Sequence, residues 1–189
     1  GDLNYFDDNL AENQFFTANS NEIADVSGVV HGKVNRLRAD NFILGLGNTT
    51  YIDCNFRGNG LSKKDELQTL NFEFKELRTD LKTISRIVPG FKPPEQFYKL
   101  GSISFKGDYQ LFDGIDHVLY GDFVSDLGSG RADMQLNLKQ GKEKAVYSGG
   151  LEMRDFDLAT WTGDKQFGRS TFRVNIAENS TGLTLQTMK

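Results

Sequence analysis

Few side chains in this chain have both the type and the spacing that chemistry needs. The two histidines, His31 and His117, stand on different strands, and neither has a second histidine or a cysteine at metal-ligand spacing. Asp155 and Asp157 can be drawn as a carboxylate pair, but they flank Phe156 at a strand end, where an aspartate is more often a helix cap. Asp7-Asp8 lacks the spaced oxygen ligands and the turn glycine of a calcium loop and reads as a solvated turn. Cys54, the only cysteine, falls in phase with Ile52 and Phe56 and reads as a small buried hydrophobe; it can form no intrachain disulfide. Trp161 could stack on a ligand, but on a one-turn helix it is expected to pack that helix onto a sheet. Asn48-Thr49-Thr50 and Asn179-Ser180-Thr181 match the glycosylation sequon, which matters only in a eukaryotic secretory setting. No nucleophile elbow, P-loop or dinucleotide fingerprint is present. The expectation is a protein that is not an enzyme, with no catalytic residue, no metal and no cofactor.

What the sequence does specify is sheet. From Tyr98 to Lys139, apolar residues recur every second position in three successive runs. Ile103, Phe105, Tyr109 and Leu111 form the first stripe, and Leu119, Phe123 and Leu127 the second. Ala132, Met134, Leu136 and Leu138 form the third. Period two means strands with one apolar and one wet face, and the short glycine-containing breaks at Phe112-Asp113-Gly114 and Leu127-Gly128-Ser129-Gly130 mean hairpins.

The same reading extends along the chain. Residues 1–22 are a polar, acidic segment entering the sheet, with a strand near Gln14 to Ala18. Residues 23–189 form a single continuous, repeat-like β domain. Val26, Gly28, Val30, Gly32 and Val34 begin it; Phe42, Leu44 and Leu46 follow, then Ile52, Cys54 and Phe56, then Leu70, Phe72 and Phe74. Strands are also expected at 145–155, at Phe172, Val174 and Ile176, and from Leu183 and Leu185 onward. Helical spacing breaks in twice, near 80–90 with Thr79 or Asp80 as N-cap and near 157–163. Both interruptions follow a polar-apolar-polar step and end where an apolar-Gly pair, Leu100-Gly101 or Phe167-Gly168, restarts the sheet. They imply an internal repeat of roughly 70 residues.

Composition narrows the function. Hydrophobic residues make up 38%, a low share, yet there are 15 phenylalanines, which suits a sheet whose apolar residues all point one way. The net charge of -4 is spread along the chain, which excludes the basic face that nucleic acid needs and any polybasic membrane patch. No run approaches a membrane span.

Certain stretches resemble the TamB/AsmA-like periplasmic proteins, most closely the TamB-type (translocation and assembly module) proteins of Bacteroidota. They are Val26-Ser27-Gly28-Val29-Val30-His31-Gly32, Leu77-Arg78-Thr79-Asp80-Leu81 and Leu100-Gly101-Ser102-Ile103-Ser104-Phe105-Lys106-Gly107. Tyr120-Gly121-Asp122-Phe123 and Tyr147-Ser148-Gly149-Gly150-Leu151 followed by Asp155-Phe156-Asp157-Leu158 complete the set. The resemblance implies an internal piece of a longer protein, anchored in the inner membrane and lying in the periplasm. It implies an elongated, curved antiparallel meander (a β-taco) with one or two short helices and a hydrophobic groove. It implies a role in outer-membrane biogenesis: conducting phospholipid between the membranes, or serving as a scaffold or chaperone segment for outer-membrane protein assembly and secretion. The whole protein would meet an outer-membrane assembly protein. The partners of this segment would be phospholipid acyl chains or amphipathic protein clients. On the groove reading, the lining is Phe72, Phe74, Ile103, Phe105, Tyr109 and Leu111, continued by Leu119, Phe123, Met134, Leu136 and Leu138, and then by Phe172 and Val174. The competing expectation is an ordinary ligand-binding β-sandwich whose stripes face a second sheet.

Overall fold

The computed structural model describes residues 23–33, 35–60, 68–87, 93–141, 144–177 and 185–187. The expected strand at Gln14 to Ala18, Val34 and the sequon at Asn179 lie outside them. The fold is the mainly β antiparallel meander that the alternation predicts. Its strands are β1 (Ala24–Lys33), β2 (Arg36–Leu46), β3 (Thr50–Asn59), β4 (Thr69–Asp80) and β5 (Ser102–Phe112). They continue as β6 (Asp116–Ser125), β7 (Gly128–Asn137), β8 (Val146–Asp157), β9 (Arg169–Ile176) and β10 (Leu185–Thr187). All ten make one sheet in sequence order, each pair antiparallel, so every connection joins neighbours. The sheet is open and uncurled, with β1 and β10 outermost among the described strands. The curvature that the resemblance implies is therefore not seen in this segment. The sandwich expectation is not met either: the described strands form a single sheet. At a strand spacing of about 4.8 Å, ten strands are about 43 Å across.

Among the described residues three short helices interrupt the meander, one more than expected. Helix α1 (Leu81–Ile87) follows β4 and α2 (Leu158–Thr162) follows β8. The stretch expected as an irregular bridge holds a 3-10 helix, Glu95–Leu100, begun after Pro93-Pro94. The two α-helices start identically. The Asp80 carboxylate accepts the Thr83 N–H at 2.9 Å and the Thr83 hydroxyl at 2.8 Å. The Asp157 carboxylate accepts the Thr160 N–H at 2.9 Å and the Thr160 hydroxyl at 2.8 Å. One turn on, Ser85 and Thr162 each donate a hydroxyl to the carbonyl four residues back, at 2.7 Å in both. The repeat expected at roughly 70 residues is thus a shared Asp-Leu-x-Thr-x-Ser/Thr motif at an offset of 77 (80 to 157). It closes a unit of four strands and a helix, β1–β4–α1 and then β5–β8–α2.

The helices gather at one end of the strands and build a rim. Under α2 sits a small core of Leu127, Met153 and Phe156, with Leu100, Phe123, Leu151, Leu158, Trp161 and Phe172 packed around it. Trp161 meets Phe156 edge-on at 5.8 Å, the packing role expected of it. Leu127, expected on the second apolar stripe, instead lies in the link after β6 and is buried in this core, because β6 ends at Ser125. Near α1, whose Leu81 is buried, threonine hydroxyls pair: Thr50 and Thr79 share a hydrogen bond of 2.9 Å, and Thr49 and Thr83 one of 3.2 Å.

Bulges in β2, β4 and β8 break the ladder. Two are finished alike. Asn41 and Asp155 take positive φ (49° and 47°), and each gives its stranded N–H to a side chain across the bulge, Asn55 Oδ1 at 3.0 Å and Thr171 Oγ1 at 3.1 Å.

Candidate functional surface

The strand register carries the apolar stripes across the whole sheet on one face. One transverse line runs Val26, Leu44, Ile52, Leu77, Phe105, Phe123, Gly130, Met153 and Phe172, each residue opposite the next. A second runs Val30, Ala39, Phe56, Phe72, Tyr109, Leu119, Met134, Gly149 and Ile176. The line between them is Phe42, Cys54, Phe74, Gly107, Gly121, Ala132, Leu151 and Val174, small only at its centre.

Rings cover that centre. A Cβ on Gly121 would lie 2.7 Å from the Phe105 ring, and one on Gly130 would lie 2.6 Å from the Phe123 ring, so each phenylalanine leans over the glycine of the next strand. This covers exposed backbone and is why Phe105, on a single-layer sheet, is only 8% exposed. Phe56 and Phe72 (centroids 4.8 Å apart), Phe72 and Phe74 (5.2 Å) and Phe74 and Phe105 (5.9 Å) continue the contacts sideways. They join side chains within one layer.

The residues expected to line a groove therefore share this face, with one exception. Phe105 and Leu111 are buried. Phe72, Phe74, Ile103, Tyr109, Leu119, Phe123, Met134, Leu136, Phe172 and Val174 are half-buried. Leu138 lies just past the end of β7 at the sheet margin, because the strand stops at Asn137. Leu44, Ile52, Phe56, Leu77, Leu151 and Met153 belong to the same face, and the same alternation points to them.

His117 is the one ionisable base set into the apolar lines of the described face, between Leu111 and Leu136. Its Nδ1 is 2.8 Å from the Tyr109 hydroxyl, while Nε2 is buried without a partner. Burial holds its pKa below the ordinary histidine value, against the opposing pull of Asp116, and burial raises that of Tyr109. Burial, then the nearby Asp53 charge, push the Cys54 thiol up to about 11, so it stays protonated and unreactive.

The other face is wet. Glu152 sits between Arg154 and Arg173, both at 2.8 Å, and the hydrogen bonds from Arg173 and Arg154 hold its carboxyl below the usual range. Arg78 lies over Tyr51 and Arg131 over Tyr120, each 4.9 Å from the ring centroid. Asp157, the candidate acid, is the N-cap of α2, and the Thr160 N–H is the main cause of its lowered pKa. Asp155 is the bulge residue, bonded to Arg169 at 2.9 Å. Among the described residues no group of three or more His, Cys, Asp or Glu could hold a metal, and no helix is long and apolar enough to cross a membrane.

No family model matches the chain, and neither does any curated protein or solved structure.

Proposed function

We propose that the apolar face is a track for acyl chains, and that the segment is a non-enzymatic periplasmic conduit for phospholipid in outer-membrane biogenesis, as the resemblance to TamB-type proteins implies. The observation that carries this is the transverse register of apolar residues, most of them half-buried and with no second sheet among the described strands to cover them. Large uncovered apolar surface marks a place where something binds. The apolar lines cross the strands, so an occupant can pass from one strand to the next without leaving apolar surroundings. The face is about 43 Å wide, nearly three times the roughly 15 Å of a single bilayer leaflet. An acyl chain asks of its host only continuous apolar walls.

One feature favours a second reading, a scaffold that accepts a client strand. β1 is exposed along its length, is outermost among the described strands, and carries Val26, Val29 and Val30 at 56–61% exposure, the template that strand addition uses. Native mass spectrometry of the purified chain separates the two. Co-purified phospholipid that is reduced in a folded Phe123→Asp variant supports the conduit. A wild type that never carries lipid counts against it and leaves the scaffold ahead.

A further inference from the structure

The wet face carries two transverse lines of charge built in opposite ways. One runs Lys106, Asp122, Arg131, Glu152 and Arg173 across β5 to β9, changing sign at every step. Opposite charges on facing strands stabilise a sheet. The other runs His31, Arg38 and Arg57 across β1 to β3 with no acid between them. Two residues along the strands, on the same face, Lys33 stands opposite Arg36. Like charges placed directly opposite one another destabilise a sheet. Arg38 is met by Asp40 at 2.9 Å. Arg36 and Arg57 form no ion pair among the described residues.

His31, Arg36, Arg38 and Arg57 are all exposed, and with Asn59 and Asn71 they line an open cavity of about 570 Å³. Small-molecule sites span about 300–1,000 Å³. Cations on an outermost strand can serve only to guard it against pairing. That would explain Lys33 and His31, but Arg38 and Arg57 lie on the second and third strands. The even spread of charge along the sequence thus does not carry over to the surface, because register brings these side chains together. The result is a hollow for one anionic group, not a basic face.

We propose that this cavity binds a phosphomonoester group. Its charge of about -1.5 to -2 matches the two unpaired guanidinium groups, whose forks take phosphate oxygens in pairs. The group can belong to a soluble phosphoester or to a lipid headgroup. The site lies on the wet face and stands or falls separately from the acyl-chain reading. The test is calorimetric titration and thermal melting of the whole chain with inorganic phosphate at low salt. Phosphate should raise the melting temperature of the wild type. Arg57→Gln should weaken phosphate binding about tenfold or more, yet melt above the wild type without phosphate, because the like-charge pair is gone. Arg173→Gln, from the alternating line, should leave phosphate affinity unchanged. Flotation with phosphatidylcholine vesicles, with and without phosphatidic acid, separates the sources. Phosphatidic-acid binding that Arg57→Gln removes identifies a lipid headgroup, and a phosphate response without it identifies a soluble ester. A wild type that does not respond to phosphate, or an equal loss in Arg57→Gln and Arg173→Gln, overturns the proposal.

Discussion

The two four-strand units end in the same helix cap but rest on different floors. The rim of the second is an apolar core, in which Phe156 is 3% exposed and Met153 5%. The rim of the first is threaded by threonine hydroxyls, Thr50 to Thr79 and Thr49 to Thr83. A cap fixes where a helix starts, and the floor decides how firmly it is held. Burying a large apolar side chain contributes about 1.5–3 kcal/mol, whereas a hydrogen bond contributes about 0.5–1.5 kcal/mol net. The second unit should therefore be the firmer of the two.

The largest expected effect tests whether leaning rings are core or surface. Phe105→Arg should remove at least the roughly 3 kcal/mol of truncating a buried phenylalanine, and the domain should unfold or barely express. Phe123→Asp should cost clearly less, because its ring is half-buried and the charge can reach water. Equal losses in urea denaturation would break the distinction between the two rings. Next come the floors. Phe156→Ala should cost about 3 kcal/mol and loosen α2 in amide exchange. Thr79→Val leaves the Thr50 hydroxyl unpaired and should cost about 1–2 kcal/mol, while the double change with Thr50→Val should recover most of that. Asp80→Ala should cost about 1 kcal/mol and release α1, whereas Asp157→Ala should leave α2 more protected because its apolar floor remains. If α2 frays as much as α1, the floors do not matter.

The smallest effect is pH dependence, and it should be confined to the second unit. His117 of β6 stands on the same register line as Leu37 of β2. Its folded pKa lies below the unfolded value, so the unfolded chain takes up the proton first. Stability is complete above the unfolded pKa of about 6.5 and falls as pH drops toward the folded one. A His117→Leu variant should lose this component, and a slope that persists in the variant would assign it elsewhere.

Much of this fold is legible because strands announce themselves by period two. The alternation at Phe72 and Phe74, and again at Ile103 to Leu111, places those side chains on one face without any knowledge of the partner strands. Asp80 and Asp157 as caps follow from their position at the end of a strand pattern and the start of a helical one. Alternation misplaces Leu127 and Leu138 because it does not say where pairing stops, and a two-residue link keeps the phase. Pro93-Pro94 hide the 3-10 helix, since they signal a break in structure but carry no sign of the helical turns after it. The bulges mark the sequence only as one-residue slips of the alternation, Ala39 to Phe42, Phe74 to Leu77 and Met153 to Phe156, which read alone look like the end of a stripe. Whether the apolar face stays flat or curls depends on the sum of small twists along many strands, and no local pattern carries that sum.

Phe105 over Gly121 and Phe123 over Gly130 have a consequence for how this sequence can drift. A side chain on either glycine would meet the covering ring and also, at 2.4 Å, a carbonyl oxygen of the neighbouring strand, Lys106 in one case and Glu152 in the other. Shrinking the ring relieves only the first conflict. The aromatic positions are thus free to change first and the glycines are not, a one-way ratchet. Distant descendants should keep the gap after losing the ring that filled it, and Gly121 and Gly130 are the letters by which to find them.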